Sequence, residues 1–276
     1  MAIQWPLLLF TLIAGAGAAL MAFAGLGEFI GSSKKARFVS LIIALILLVV
    51  GGVLSIFHLG QPANVMNAAT NIGSFSPISL ELLFVGICVV IAIIYLIIVN
   101  RGGVAAKVFG VLGIVFGVIF MYVTGHGYSV ILSRPAWDNP VLALTYLFTS
   151  LTLGGFCWLI MQSAFKDEDA VIKKNALVVF FAAIIETVLL LVYGAMAPLG
   201  SSVVLFWICA FVVGGVIAAA AGIFVYLKKT IPLIYVGAIA ALVGGIVFRA
   251  VMWMAGTGYL PNLFDVAINN RGLYPF

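Results

Sequence analysis

The protein has 276 residues, 65% of them hydrophobic and 8% charged, with a mean hydropathy of +1.32. Soluble domains carry about 25% charged residues, so a soluble fold is excluded and lipid must solvate most of this surface. The net charge of +5 comes from short Lys/Arg groups between apolar runs, with no basic stripe, which excludes a nucleic-acid partner.

The apolar runs are continuous, unlike the alternating segments of about ten residues in a membrane barrel. About 20 apolar residues cross a bilayer as a helix, and a helix satisfies its own backbone there. The expected architecture is all-α, a single transmembrane domain over 1–276 with eight spans, at 6–30, 37–57, 78–99, 104–124, 140–164, 174–197, 202–227 and 232–254. No Lys or Arg precedes Lys34, and the first run is too long for the core of a signal peptide, so it reads as a permanent span. The stretch 174–227 is too long for one crossing, and Pro198-Leu199-Gly200-Ser201-Ser202 predicts a tight turn inside it. Gly113 and Gly117, Gly154-Gly155, Gly214-Gly215 and Gly244-Gly245 predict close helix contacts in one bundle.

Basic residues sort by side. Lys34, Lys35, Arg37, Arg101, Lys107, Lys166, Lys173, Lys174, Lys228 and Lys229 fall after the odd-numbered spans, against Arg134 and Arg271 on the other side. The positive-inside rule puts the larger group in the cytoplasm and both termini outside. The long connections 58–77 and 125–139 are then extracytoplasmic, and that face is where function is sought.

Charge within a membrane marks function by default. His58, in Phe57-His58-Leu59-Gly60-Gln61-Pro62, reads either as a helix-end cap or as a functional imidazole. Glu81 follows Ser76-Pro77, an N-cap and first-turn proline, and reads either as a carboxylate near a positive helix end or as a partner of His58. The two bracket one loop, so both are expected at one depth, where they can tune each other and exchange protons. Arg249 reads as a snorkelling side chain, or as a fixed charge facing Glu81 or a ligand oxygen. His126, in Gly125-His126-Gly127-Tyr128, reads as an exposed loop residue, Glu28 as an interfacial one, and Glu186 as a mid-span carboxyl in a proton path or simply neutral. Cys88, Cys157 and Cys209 stand alone, so no metal or iron–sulfur site is expected. No flavin motif occurs, and two histidines at span ends do not suit a haem.

The segment Ser55 to Pro62, followed by the Ser-rich turn and Glu81, resembles the membrane anchor subunits of dimethyl sulfoxide reductases. The opening Trp5 to Thr11, the stretch Pro135 to Gly155, and the last span with Arg249 and Met252-Trp253 are similar to that family too. Three places depart from the pattern: 61–75 lacks arginine, Ala14-Gly15-Ala16-Gly17 replaces a polar position, and Gly245 stands where a glutamate is expected. The resemblance implies an anchor in a prokaryotic cytoplasmic membrane that binds menaquinol as substrate at its outer face. It further implies two partners, an iron–sulfur electron-transfer subunit and a molybdenum catalytic subunit. His58 would be the base, Glu81 would orient it or relay protons, and Arg249 and Gln61 complete the expected quinol-binding set. The alternatives are a secondary transporter, with Glu186 as its midplane site, and a quinone-reactive anchor of the polysulfide-reductase type.

Overall fold

The computed structural model describes residues 3–57, 70, 72–131, 133–228 and 230–255. Eight long helices follow one another: α1 (Trp5–Ile30), α2 (Lys34–Ile56), α3 (Pro77–Ile98), α4 (Gly103–Ser129), α5 (Leu142–Ala164), α6 (Asp169–Met196), α7 (Gly200–Lys228) and α8 (Ile231–Ala255). All eight are long and apolar enough to cross a membrane, and no strand occurs among the described residues. The protein is therefore a multi-pass membrane protein.

Local chemistry sets the helix ends. Pro6 and Pro77 occupy first-turn positions, where a missing N–H is harmless. The Ser33 hydroxyl accepts from the Ala36 amide at 3.2 Å, and the Ser76 hydroxyl accepts from the Ser79 amide at 3.3 Å. Each satisfies a backbone donor that the first turn leaves free. Gly31 closes α1 at φ 102, a left-handed conformation suited to glycine. The turn expected at 198–202 is present, with α6 ending at Met196 and Gly200 at φ 54.

Large apolar side chains such as Val53, Val90, Ile97, Val188, Ile208 and Ile239 are exposed on the outside of the bundle, where lipid solvates them. The interior is built around α1, 89% buried over its most apolar window. Its run Ala14-Gly15-Ala16-Gly17-Ala18-Ala19 is buried throughout, because small residues let several neighbours approach one helix at once. At Gly25 a methyl group would collide with the Gly110 carbonyl of α4, so the two backbones touch directly. Gly214 of α7 and Gly244 of α8 meet in the same way.

Two helix boundaries lie five residues from the sequence expectation, and one helix is wound differently. Helix α4 passes the expected stop at 124 and continues to Ser129, because Gly125 fits against Ala143 and the Tyr146 ring. His126 is therefore helical and partly buried, not an exposed loop residue; its ring stacks on Tyr122 at 5.8 Å. Helix α6 starts at Asp169, so Lys173 and Lys174 are helical. Within α7, Phe206–Ile217 is wound as a π-helix, a rare geometry that no sequence pattern announces.

The bundle has two distinct ends. At the Lys34 end, Ser33 N–H donates to Asp167 at 3.0 Å and Lys34 donates to the Asn100 carbonyl at 3.1 Å. Here Glu28 is drawn into a partly buried ion pair with Arg37 at 3.3 Å and accepts from the Tyr95 hydroxyl at 3.0 Å. At the opposite end the connection between α4 and α5 folds inward. Trp137 donates to the Met252 carbonyl at 2.9 Å, and the Tyr193 hydroxyl donates to the Ala136 carbonyl at 2.8 Å.

Candidate functional site

Glu81 lies on the second turn of α3, four residues after Pro77. Its carboxyl group faces α4, because a methyl group on Gly127 would lie 3.1 Å from Glu81 Oε1 and 3.3 Å from Pro77 Cβ. A pocket of about 260 Å³ opens there, lined by Leu7 of α1, Ser76, Pro77, Ile78 and Glu81 of the α3 start, and Gly127, Tyr128 and Ile131 at the α4 end. Its walls are largely apolar, with one ionisable carboxyl and one phenol. Such a slot suits a flat, apolar ligand with polar oxygens at its edge.

Tyr128 is the member that sequence reasoning missed. It is placed by the additional turn of α4, which turns a supposed loop residue into a buried wall. Its ring meets Trp137 edge-on at 5.2 Å and Trp253 at 5.8 Å, and stacks on Tyr146 at 5.6 Å. Trp137 and Trp253 are themselves in T-shaped contact at 4.8 Å. Edge-to-face aromatic pairs add about 0.5–1.5 kcal/mol each beyond area burial. The cluster thus fixes one side of the pocket rigidly.

Arg249 is fully buried, which rules out the snorkelling reading. Its guanidinium donates to the hydroxyls of Thr11 at 3.1 Å, Thr149 at 3.2 Å and Ser150 at 3.2 Å, and to the Gly245 carbonyl at 3.2 Å. It also lies over the Tyr146 ring at 4.6 Å. These contacts to neutral acceptors tie α8 to α1 and α5. Arg249 does not line the Glu81 pocket; two stacked tyrosine rings separate it from that space. Among the described residues its side chain makes no salt bridge.

Glu186 of α6 is also fully buried. Neither of its carboxyl oxygens has a hydrogen-bond partner among the described residues. His58 and Gln61, the other expected quinol contacts, lie outside the described residues. No grouping of three or more His, Cys, Asp and Glu suited to a metal occurs among the described residues.

A curated relative, the C subunit of the anaerobic dimethyl sulfoxide reductase of Haemophilus influenzae, is 33% identical over 158 residues, which is 55% of the present sequence. The matched stretch spans about half of that relative, 56% of its length. The profile of the DMSO reductase anchor subunit family (DmsC) matches residues 1–254, from the pocket-lining start of α1 to nearly the end of α8. The protein belongs to the DMSO reductase anchor subunit (DmsC) family.

Proposed function

We propose that this protein is the membrane anchor of a dimethyl sulfoxide reductase-type complex and that it oxidises menaquinol in the Glu81 pocket. Membership in the anchor family supports the first part. The observation that carries the second is a carboxyl group set in a largely apolar pocket at one end of the bundle. The Glu81 end is the extracytoplasmic one, since the Lys/Arg-rich connections gather at the Lys34 end and such connections stay in the cytoplasm. The anchor sits in a prokaryotic cytoplasmic membrane and presents this end to an iron–sulfur subunit, which passes electrons to a molybdenum catalytic subunit.

The chemistry makes three demands on the protein. Oxidising a quinol to a quinone breaks two O–H bonds and releases two protons and two electrons. The ring needs an apolar slot, and the pocket of about 260 Å³ is close to the lower end for ligand pockets, about 300–1,000 Å³. It holds a ring head and leaves the isoprenoid tail in lipid. One proton needs an acceptor within hydrogen-bond reach, which is the role of Glu81. His58, in the connection between α2 and α3, takes the second proton or orients the ring oxygen, with Gln61 of the same connection as a further member of the set, whereas Arg249 stands behind Tyr146 and Tyr128 and takes no direct part in binding. The electrons leave to the iron–sulfur subunit, and both protons leave on the same side.

The test is binding of a menaquinol analogue to the purified complex. Wild type binds it, and Glu81→Gln binds it at least tenfold more weakly. Equal affinity of the two would remove Glu81 from the site.

A further inference from the structure

A second groove lies away from the Glu81 pocket, in the half of the bundle nearer the Lys34 end. It has a volume of about 110 Å³ and is lined by Phe23 and Leu26 of α1, Ile114 and Val118 of α4, Leu151 of α5 and Val178 of α6. Every lining side chain is apolar. Leu26 is four residues before the end of α1, Val178 nine after the start of α6, and Val118 fifteen after the start of α4. At about 1.5 Å of rise per residue, the groove runs from about 6 Å to about 22 Å inside that end.

Two lysines stand over its mouth. Lys107 is seven residues before Ile114 on α4, and Lys174 is four before Val178 on α6. Spacings of four and seven return to one helix face, so each lysine shares a face with a residue that walls the groove. The two stand four and five residues into their helices, at nearly one depth of about 6–8 Å. Both are exposed, and neither forms an ion pair among the described residues. Two other cations of this end are engaged elsewhere: Lys34 donates to the Asn100 carbonyl at 3.1 Å, and Arg37 pairs with Glu28.

Depth and width select the occupant. Helices α4 and α6 have 27 and 28 residues, about 40 Å each, against about 30 Å of hydrocarbon. The excess sets their first turns in the headgroup layer, and lysines just below that boundary reach a phosphate by extending along the helix. A helix of a partner protein, about 10–12 Å across with its side chains, is too wide for the groove. A quinol ring carries no charge for two ammonium groups to meet. A single acyl chain below a phosphate matches both the apolar walls and the paired cations.

We infer that this groove binds one anionic phospholipid, with an acyl chain against Phe23, Leu26 and Ile114 and its headgroup phosphate met by Lys107 and Lys174. The chain fills the gap beside α1 that the side chains of α4, α5 and α6 leave open. The site is independent of the quinol-oxidation reading.

The test titrates the detergent-purified complex with phosphatidylglycerol or phosphatidylcholine, counts bound lipid by native mass spectrometry and follows thermal unfolding. A lysine beside an anionic headgroup is worth about fivefold in affinity, so wild type should hold one phosphatidylglycerol at least about tenfold more tightly than phosphatidylcholine. Its unfolding midpoint should rise as the site fills. Lys107→Gln combined with Lys174→Gln should reduce phosphatidylglycerol to the affinity of phosphatidylcholine, while Lys228→Gln, on a helix that does not line the groove, keeps the preference. Ile114→Trp fills the groove with both lysines intact and should weaken both lipids. Equal affinity of wild type for the two lipids, or a preference that survives loss of both lysines, overturns the site. Displacement of phosphatidylglycerol by glycerol phosphate alone also overturns it, since an anion site would then need no acyl chain.

Discussion

The Arg249 guanidinium carbon lies 4.6 Å from the centre of the Tyr146 ring, and Tyr146 stacks on Tyr128, the ring that borders the Glu81 pocket. This relationship explains how a full charge is tolerated inside the bundle. The guanidinium is met by one aromatic face, three hydroxyls and a carbonyl; the ring and hydroxyls come from α1 and α5, which must already be packed against α8, and the carbonyl from α8 itself. A planar fork with several donors suits such a cradle, and an ammonium does not.

Arg249→Lys is accordingly expected to destabilise the bundle by about 2 kcal/mol, since interhelical hydrogen bonds in membranes are worth about 0.6 kcal/mol each and several are lost. Thermal unfolding in mild detergent reads this loss. An unchanged midpoint would show that the cradle carries no net stability.

Gly127 sets the pocket width, since any side chain there would point at Glu81 and Pro77. Gly127→Leu should fill the slot and raise the Kd for a menaquinol analogue at least tenfold, or about 1.4 kcal/mol. The unfolding midpoint should fall only modestly, because the Glu81 carboxyl and Pro77 must shift by a few tenths of an ångström to admit the Cβ while the rest of the side chain enters the pocket.

Close backbone contact at Gly25 and Gly110 allows no such latitude. Gly25→Val should force α1 and α4 apart, costing about 1–3 kcal/mol through overpacking and lowering the yield of folded protein. A detergent-purified variant of normal yield and unfolding midpoint would contradict the direct contact of these helices.

The Glu28–Arg37 ion pair belongs to the opposite end, almost six turns along α1 from Leu7 of the pocket wall. Glu28→Gln leaves the buried Arg37 without its counter-charge, which should cost about 1–3 kcal/mol. Analogue affinity should stay unchanged, which a binding titration beside the unfolding curve checks.

The eight helices could be read from the sequence because continuous apolar runs and the Lys/Arg groups between them leave few other arrangements. The Glu81 end of α3 was readable for a local reason: Ser76-Pro77 is both a cap and a helix start. The additional turn of α4 was not, since Gly125 and Gly127 read as breakers until Ala143, Tyr146 and Pro77 are packed against them. Tyr128 was lost with it. The partners of Arg249 were beyond reach for another reason. Thr11, Thr149 and Ser150 carry no local signal, and only the packing of α1, α5 and α8 brings them together. The π-wound part of α7 likewise has no sequence periodicity of its own that marks it out.

The most direct test of quinol oxidation at Glu81 is a comparison of two electron donors in the intact complex carrying Glu81→Gln. Quinol-driven reduction of the terminal acceptor should fall by roughly 10²-fold or more, the usual scale for losing a positioned proton acceptor. Reduction driven by a reduced viologen dye, which delivers electrons directly to the partner subunits, should remain at the wild-type rate. Equal quinol-driven rates in variant and wild type would contradict the account.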